Sequence, residues 1–501
     1  MDAQSLGQWL QGIIDPGANG AVIVRGLQLD SRRVGEGDAF FALRGIHQHG
    51  MCFARDAVRR GASVVLAEAP MPDDEAVHGN DFGVPVVWVE HLHARVGELA
   101  ARFYGAPSSV LCVIGVTGTN GKTSVVQWLS QALTFLGCRP ATIGTLGVGL
   151  HGQLRDSGYT TPDAIQVQAL LAGFRDAGAS HVVMEVSSHA LAQARVAGVG
   201  FHLAVFTNLS RDHLDYHGSM HAYGVAKAKL LAWPGLKAAI VNIDDAFGRQ
   251  LVTKLPVTAQ VLRLSSAGST DADVLAMDVS MSALGLDFRL CTPCGSQHVR
   301  SALLGGFNVD NLLAVAACLS VLGWPLGRVC TALEALQPVS GRMNRLGGEH
   351  GLPLVVVDYA HTPDALARSL GTLRVHCKGQ LICVFGCGGE RDSGKRPLMG
   401  ELAVRLADRV ILTDDNPRGE DGDVIVAQIL AGIVRTHAVQ VERDRARAIH
   451  AALAEAHETD VVLIAGKGHE CFQEKAGDKR PFDDLTVARE ALAECSMEWQ
   501  A

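Results

Sequence analysis

Between residues 110 and 136 the chain reads V-L-C-V-I-G-V-T-G-T-N-G-K-T-S-V-V-Q-W-L-S-Q-A-L-T-F-L, a stretch that leaves little choice of fold. An apolar, β-branched run over 110–116 leads into Thr117, Gly118, Thr119, Asn120, Gly121, Lys122, Thr123 and Ser124. Apolar residues then recur at helical spacing, at Val125, Val126, Leu129, Leu133 and Leu136. The pattern predicts a buried strand, a phosphate loop and a helix. Glycines let backbone N–H groups approach an anion, the helix N-terminus adds partial positive charge, Lys122 adds a full one, and Thr123 offers a hydroxyl to a metal ion. The commonest phosphate-loop pattern has glycine where this chain has Val116, with Gly115 one place early. An ordinary glycine-rich turn is the plain alternative.

The remainder extends this theme. A length of 501 residues gives roughly three domains. With 48% hydrophobic, 19% charged and 5% aromatic residues, the chain suits an α/β globule with a large core. A formal net charge of -8 argues against a general binder of nucleic acid or anionic membrane, while leaving room for a local basic pocket. There is no basic-then-apolar leader and no apolar run of membrane-spanning length, so a cytoplasmic protein is expected. Most of the 12 cysteines lie singly in apolar segments, where a thiol packs as a small hydrophobe. Cys291 and Cys294, in C-T-P-C, read as a turn between strands ahead of a metal or redox site, because no second pair stands at zinc spacing.

The expected fold is α/β in three domains. A smaller mixed domain, 1–107, has strands at 22–29, 63–67 and 86–89, helices at 53–60 and 92–103, and a polar, glycine-rich binding loop over 27–50. Asp30 and Ser31 fit a turn cap as well as a ligand contact. A proline and two serines at 107–109 form a linker. In the central domain, 108–340, a doubly wound sheet follows from strands at 141–148, 181–186, 203–209 and 238–242 alternating with helices at 163–176 and 220–231. Residues 274–303 read as an antiparallel meander, and a helix runs on to 322. The third domain, 341–501, is Rossmann-like. Its strands fall at 354–358, 381–385, 410–413 and 461–465, and its helices at 363–373, 396–407, 424–433, 445–456 and 484–492.

Ligands of such sheets bind at the carboxyl ends of strands, where this chain collects polar residues. Glu185 and His213 are placed near the phosphate loop, within reach of a cation carried by a nucleotide. Each alone reads equally as a cap or turn residue, but several at one sheet edge point to a site. Asn308 and Asn311 are either helix caps or base-contacting groups.

Taken together, T-G-T-N-G-K-T at 117–123, M-E-V-S-S-H at 184–189, T-N-L-S-R-D-H-L-D-Y-H at 207–217, D-Y-A-H-T-P at 358–363 and D-N-P-R at 415–418 resemble the Mur ligases, in order and over almost the whole chain. That family's loop also has this chain's glycine spacing. The resemblance implies an ATP- and Mg2+-dependent carbon–nitrogen ligase of peptidoglycan precursor synthesis. Its branch would join meso-2,6-diaminopimelate to the D-glutamate carboxyl of UDP-MurNAc-L-Ala-D-Glu through an acyl phosphate.

Residue by residue, the resemblance gives Leu29, Ser31, His47 and Gln48 to the uridine diphosphate, and Thr160, Thr161, Ser187, Gln193 and Arg195 to the rest of that substrate. Tyr159 stands where relatives often have asparagine. Gly118 to Ser124 would bind ATP, Asn308 and Asn311 would face its adenine, and Arg342 and Asp358 would meet it from the following domain, so that closure completes the site. Thr123, Glu185, His213 and Lys227 would hold Mg2+, Lys227 as N6-carboxylysine, because a carbamate reverses the sign of an ammonium that would repel the metal. A surface ammonium would need no modification, and Lys229 stands close by. Lys122, Lys227, His213 and Glu185 form the implied catalytic set. Arg391, Asp415, Asn416, Pro417, Arg418, Gly466 and Glu470 would bind diaminopimelate, with the Arg418 guanidinium gripping its distal carboxylate bidentately. A monomer without nucleic-acid partners is expected. The competing readings are a lysine-adding muropeptide ligase, a folylpolyglutamate-type ligase, a regulatory phosphate-loop NTPase and a non-catalytic nucleotide binder. ADP release on addition of both acceptor and amino acid separates them.

Overall fold

The computed structural model describes residues 3–45, 48–72, 82–255, 259–282, 285–349, 351–434 and 439–498. The chain divides into two compact units, Met1–Gly115 with Cys138–Ala204 and Ala232–Lys237, and Val116–Gly137 with Val205–Leu231 and Ala238–Ala501. The division passes through two strands, Cys112–Thr117 and Phe201–Phe206.

In the first unit, the strands Gly26–Gln28, Asp38–Ala42, Val64–Ala69 and Val86–Glu90 lie side by side in that order, all parallel. Alternate side chains serve two cores. Leu27, Phe41 and Leu66 pack with Trp9, Leu99 and Phe103, while Phe40, Val65 and Ala67 pack with Met51, Ala54 and Ala57. Trp9 takes edge contacts from Phe41 and Phe103 and donates Nε1–H to the Leu99 carbonyl at 2.9 Å, so its polar edge is satisfied inside the core. The strand expected at 22–29 is two strands. Ile23–Val24 pairs antiparallel with Gln4–Ser5, and the break falls at Arg25, whose N–H goes to the Gly37 carbonyl instead.

The same unit holds His181–Glu185 parallel to Pro140–Gly144, which turns back as Gly147–Leu150. The single strand expected at 141–148 is thus a hairpin. Its sequence is apolar and β-branched throughout, and only the glycines betray the turn. Gly147 has φ +118°, where a Cβ would stand 2.6 Å from the Arg155 carbonyl oxygen.

In the second unit, the phosphate-loop helix Lys122–Phe135 begins at the expected place. Ala238–Asn242, Gln260–Ser265 and the start of Val274–Ser282 run parallel, after which Gly285–Thr292 and Gly295–Ser301 complete the expected antiparallel meander. Cys291 and Cys294 flank its tip, the turn between strands read from the sequence. The strand expected at 203–209 stops at Phe206, because the chain from Thr207 onward bonds to the phosphate loop. Thr119 N–H reaches the Asn208 carbonyl at 2.8 Å, and Asn120 N–H reaches Asn208 Oδ1 at 3.0 Å.

The C-terminal sheet has the order Asn344–Gly347, Leu354–Asp358, Val461–Ala465, Leu381–Phe385, Arg409–Leu412, Val439–Val441. Its first pair is antiparallel and the rest are parallel. Helices cover both faces. Leu366, Leu370 and Met399 pack on one side, and Ala448, Ile449, Leu453 and Leu492 on the other. Strands buried on both faces need the near-continuous apolar runs V-V-V and L-I-C-V-F seen here. The carboxyl ends of the strands therefore deliver D-Y-A-H, G-C-G-G-E-R-D, D-N-P-R and G-K-G-H-E to one edge. Among the described residues no helix is long and apolar enough to cross a membrane.

Candidate active site

The phosphate loop is held open by what its glycines lack. Gly118 (φ +147°) and Gly121 (φ +85°) take conformations disfavoured for other residues, and a Cβ would drive into Thr207 Oγ1 at the first and Asn311 Oδ1 at the second. Lys122 Nζ folds back to the carbonyl oxygens of Gly118 (2.9 Å) and Thr119 (2.8 Å). Lys227, from the helix Met220–Leu231, brings its Nζ to the same Gly118 oxygen at 2.7 Å and rests 4.3 Å above the Tyr223 ring. The surface-ammonium reading of Lys227 is therefore corrected. The side chain is 1% exposed, and burial, with Lys122 next to it, pulls its pKa well below the usual ammonium range. Lys229 is exposed.

His213 sits at φ +53° with its Nε2 3.3 Å from the buried Asp212 carboxylate, which His361 Nε2 approaches to 3.8 Å. Burial opposes ionisation of Asp212. The approach of His361 and the charges of His213, His361 and Lys395 outweigh it and hold the carboxyl well below its ordinary range.

A cavity beside the loop is lined by Asn120, Gly121, Asn308, Asn311, Arg342 and Asp358, so the expected nucleotide residues converge. The two asparagines are not helix caps. The Phe307–Val321 helix has no side-chain cap; instead Asn311 Nδ2 donates to Asn308 Oδ1 (2.9 Å), and Asn308 Nδ2 donates to the Leu304 carbonyl (2.6 Å). Arg342 donates Nη2–H to Thr123 Oγ1 at 2.9 Å while its guanidinium lies 4.5 Å from the Tyr359 ring centre. Asp358 accepts from Ser369 Oγ (2.6 Å) and Met343 N–H (3.2 Å).

The D-N-P-R loop forms a second polar centre in this unit. Asn416 Nδ2 donates to Glu470 Oε2 (2.7 Å), and Asn416 Oδ1 accepts from Lys467 Nζ (3.0 Å) and Glu474 N–H (2.9 Å). Arg418 adopts φ +54°, donates to the Gly389 carbonyl at 2.7 Å and lies 3.8 Å from Glu474 Oε2. Its side chain is 20% exposed, so it faces the loop cluster and not bulk solvent. A Cβ on Gly388 would fall 3.0 Å from Arg418 Nη1, so glycine there gives that guanidinium room. Gly389 lies against the Pro417 carbonyl and Gly466 against Asp415. An ion pair of 3.1 Å between Arg211 and Asp392 ties the 207–217 segment to the 389–397 loop. The sequence reading missed Asp212, His361, Lys467 and Glu474. The first three sit inside motifs already singled out, and their signal was charge flanked by residues given other roles.

In the first unit, Glu185 is buried, accepting from Thr145 N–H (2.8 Å) and Thr145 Oγ1 (3.2 Å). Thr145 Oγ1 meets Thr160 Oγ1, Thr161 Oγ1 donates to the Glu185 carbonyl, and Ser187 N–H donates to Thr161 Oγ1. Arg195 donates to the Thr161 carbonyl and to Gln193 Oε1. Thr160, Thr161, Ser187, Gln193 and Arg195 thus form one network around Glu185. Leu29, Tyr159 and Arg195 line one cavity; Leu29, Ser31, Gln48, Arg32 and Arg44 line another. Asp30 caps the turn Ser31–Arg33 and also lines both cavities. His47 lies outside the described residues. Of the expected metal donors, Glu185 belongs to this unit, whereas Thr123, His213 and Lys227 belong to the other. Among the described residues no group of three or more His, Cys, Asp or Glu is arranged for a metal.

A phosphate loop joined to a second doubly wound sheet, with charged strand ends serving both, defines an ATP-using ligase architecture. The chain matches the Mur ligase family catalytic domain over residues 23–104, the Mur ligase middle domain over 116–319 and the Mur ligase glutamate ligase domain over 341–468, and it belongs to the Mur ligase family. It is 56% identical over 471 residues to the UDP-N-acetylmuramoyl-L-alanyl-D-glutamate--2,6-diaminopimelate ligase of Xanthomonas campestris pv. campestris (strain 8004), covering 94% of each chain. It is 54% identical over 475 residues to the ligase of the same name from Xylella fastidiosa (strain 9a5c), covering 95% of each. A solved structure of a ligase of that name superposes with a TM-score of 0.71 at 36% identity, covering 99% of this chain and 100% of that one. A folylpolyglutamate synthase from Mycobacterium tuberculosis shares the fold, with a TM-score of 0.62 at 19% identity over 74% of this chain. The three-domain α/β expectation holds, and the regulatory-NTPase and non-catalytic readings fall away.

Proposed function

We propose that this protein joins meso-2,6-diaminopimelate to the D-glutamate carboxyl of UDP-MurNAc-L-Ala-D-Glu, consuming ATP and forming ADP and phosphate in peptidoglycan precursor synthesis. The observation that carries this reading is Arg418. Its guanidinium stands beside the Glu474 carboxylate, in a loop whose other polar groups are fixed. Diaminopimelate differs from lysine by a distal carboxylate, the group a guanidinium grips best. The names of the close relatives support the same substrate.

A carboxylate is a poor electrophile, so the glutamate carboxyl first takes the γ-phosphoryl group of ATP to give an acyl phosphate. The diaminopimelate amine then attacks the acyl carbon and phosphate leaves. Bringing a carboxylate up to a polyphosphate is resisted by like charges. Lys122 and the N–H groups at the start of its helix offset that resistance, and Asn308, Asn311, Arg342 and Asp358 hold the nucleotide. Mg2+, held by Thr123, Glu185, His213 and a carbamylated Lys227, would neutralise developing phosphate charge. Burial favours the neutral Lys227 amine, the form that adds to CO2, making an N–C bond and losing a proton. Leu29, Ser31, His47 and Gln48 would take the uridine diphosphate, and Thr160, Thr161, Ser187, Gln193 and Arg195 the muropeptide. Arg391, Asp415, Asn416, Pro417, Gly466 and Glu470 would complete the amino-acid pocket with Arg418.

In this reading the domains are 1–107, 108–340 and 341–501, and the enzyme is a cytoplasmic monomer. ADP release is the test. It should require UDP-MurNAc-L-Ala-D-Glu and diaminopimelate together, and brisk release with neither present would overturn the proposal.

A further inference from the structure

Lys467 is a fully buried cation in the second unit, held by Asn416 and Glu470, and no role in the reaction described so far uses it. Its Nζ lies 3.0 Å from Asn416 Oδ1 and 3.1 Å from Glu470 Oε2. Both partners belong to the proposed amino-acid pocket. A charge taken wholly out of water is expensive unless it is paired and hydrogen-bonded, and the pocket supplies both compensations.

The geometry fixes two orientations that would otherwise be free. An asparagine amide presents an acceptor on one side and donors on the other, and nothing in its shape selects between the two poses. Here Oδ1 receives two donors, Lys467 Nζ and Glu474 N–H, which forces Nδ2 towards Glu470. The Glu470 bonds to Asn416 and Lys467 both fall on Oε2, so in the reading above Oε1 would be the oxygen offered to a substrate ammonium. Without Lys467 the amide loses one of its two reasons for pointing this way, and Glu470 loses its only cation within salt-bridge distance among the described residues.

We infer that Lys467 is a positioning residue for the amino-acid substrate, orienting Asn416 and Glu470 before that substrate arrives. The inference rests on the reading above, in which those two side chains contact diaminopimelate. Binding groups held by a second layer of fixed contacts lose affinity when that layer is removed, because the first layer relaxes by fractions of an ångström.

The test is steady-state kinetics of ADP release by the full-length enzyme, with each substrate varied in turn. Lys467→Met keeps the length of the side chain and removes its charge. It should raise KM for diaminopimelate by about tenfold or more, change KM for ATP and for the muropeptide by less than about twofold, and lower kcat less than it raises that KM. Glu470→Gln should also raise KM for diaminopimelate, and Lys467→Met combined with Glu470→Gln should be no worse than the more damaging single change, since one residue acts through the other. An unchanged KM for diaminopimelate in folded Lys467→Met would overturn the inference, as would single effects that multiply in the double variant. If Lys467→Met alone fails to fold, the double variant, which buries no unpaired carboxylate, takes its place. A wild-type KM there would be equally fatal. Failure of the wild type to release ADP with these substrates would instead refute the parent reading.

Discussion

At Arg418 one guanidinium carries the discrimination between two amino acids that differ by a single carboxylate. If lysine entered, the guanidinium would keep only its Glu474 and Gly389 contacts and gain no substrate carboxylate, and losing one member of a buried hydrogen-bonded charge pair costs roughly 2 to 5 kcal/mol, or about 30-fold to several thousand-fold in binding. Arg418→Ala should therefore lower kcat/KM for diaminopimelate within about this range while leaving muropeptide affinity nearly unchanged, as read from initial rates. An unaltered rate would remove Arg418 from its assigned role. Lys227→Ala should abolish turnover, with partial recovery on adding short carboxylates such as formate that replace the carbamate oxygens; wild-type activity would dispose of the carbamate. Arg418 was singled out in the sequence through D-N-P-R, and Lys227 only through the family resemblance. Lys467 was not, because a lysine between two glycines looks like a solvated loop charge. Its complete burial follows from the way the Gly466 turn folds back on Asp415, a tertiary contact no local pattern announces.

Among the elements, apolar runs bounded by glycine, proline or polar clusters located most strands of the two doubly wound sheets, but not Gln260–Ser265, Asn344–Gly347 or Val439–Val441. They failed where a turn is built from residues that also suit strands, as at Thr145 and Leu146, and where a strand breaks without a breaker, as at Arg25. One connection invites a direct stability test. The helices Arg445–Ala454 and Asp484–Glu498 are joined by a fully buried ion pair, with Arg445 Nε and Nη2 each 2.8 Å from an Asp484 oxygen and Nη2 also 3.0 Å from the Ala465 carbonyl, immediately before Gly466. Arg445→Leu should destabilise the protein by about 3 to 5 kcal/mol by stranding the Asp484 carboxylate, and converting both residues to leucine should recover most of that loss in thermal melts. Thiol chemistry reports on the same layers. Cys383 and Cys387 are buried and their pKa values pushed up to about 12, so a thiol reagent at neutral pH should label the exposed Cys52, Cys294 and Cys471 quickly and these two only on unfolding.

For the whole molecule, the central expectation is dependence of ADP release on both acceptors and on a divalent ion. Chelation with EDTA should abolish turnover, and added Mg2+ should restore it. The three-part plan was visible because each part repeats its own pattern of strands and carries its own polar edge. How the parts meet was not, since contacts between segments hundreds of residues apart leave no periodicity. Asn120 Nδ2 reaching Asp364 and Arg342 reaching Thr123 are such contacts. The second has a consequence for how occupancy is reported. The Thr123 hydroxyl already has a suitor in Arg342, whose flat cation also covers the face of Tyr359. A ligand that claims the same lone pair of the hydroxyl would displace Arg342, and its arrival would then reach the downstream loop through the contact of that guanidinium with Tyr359. Fluorescence of Tyr359 offers a place to listen for it.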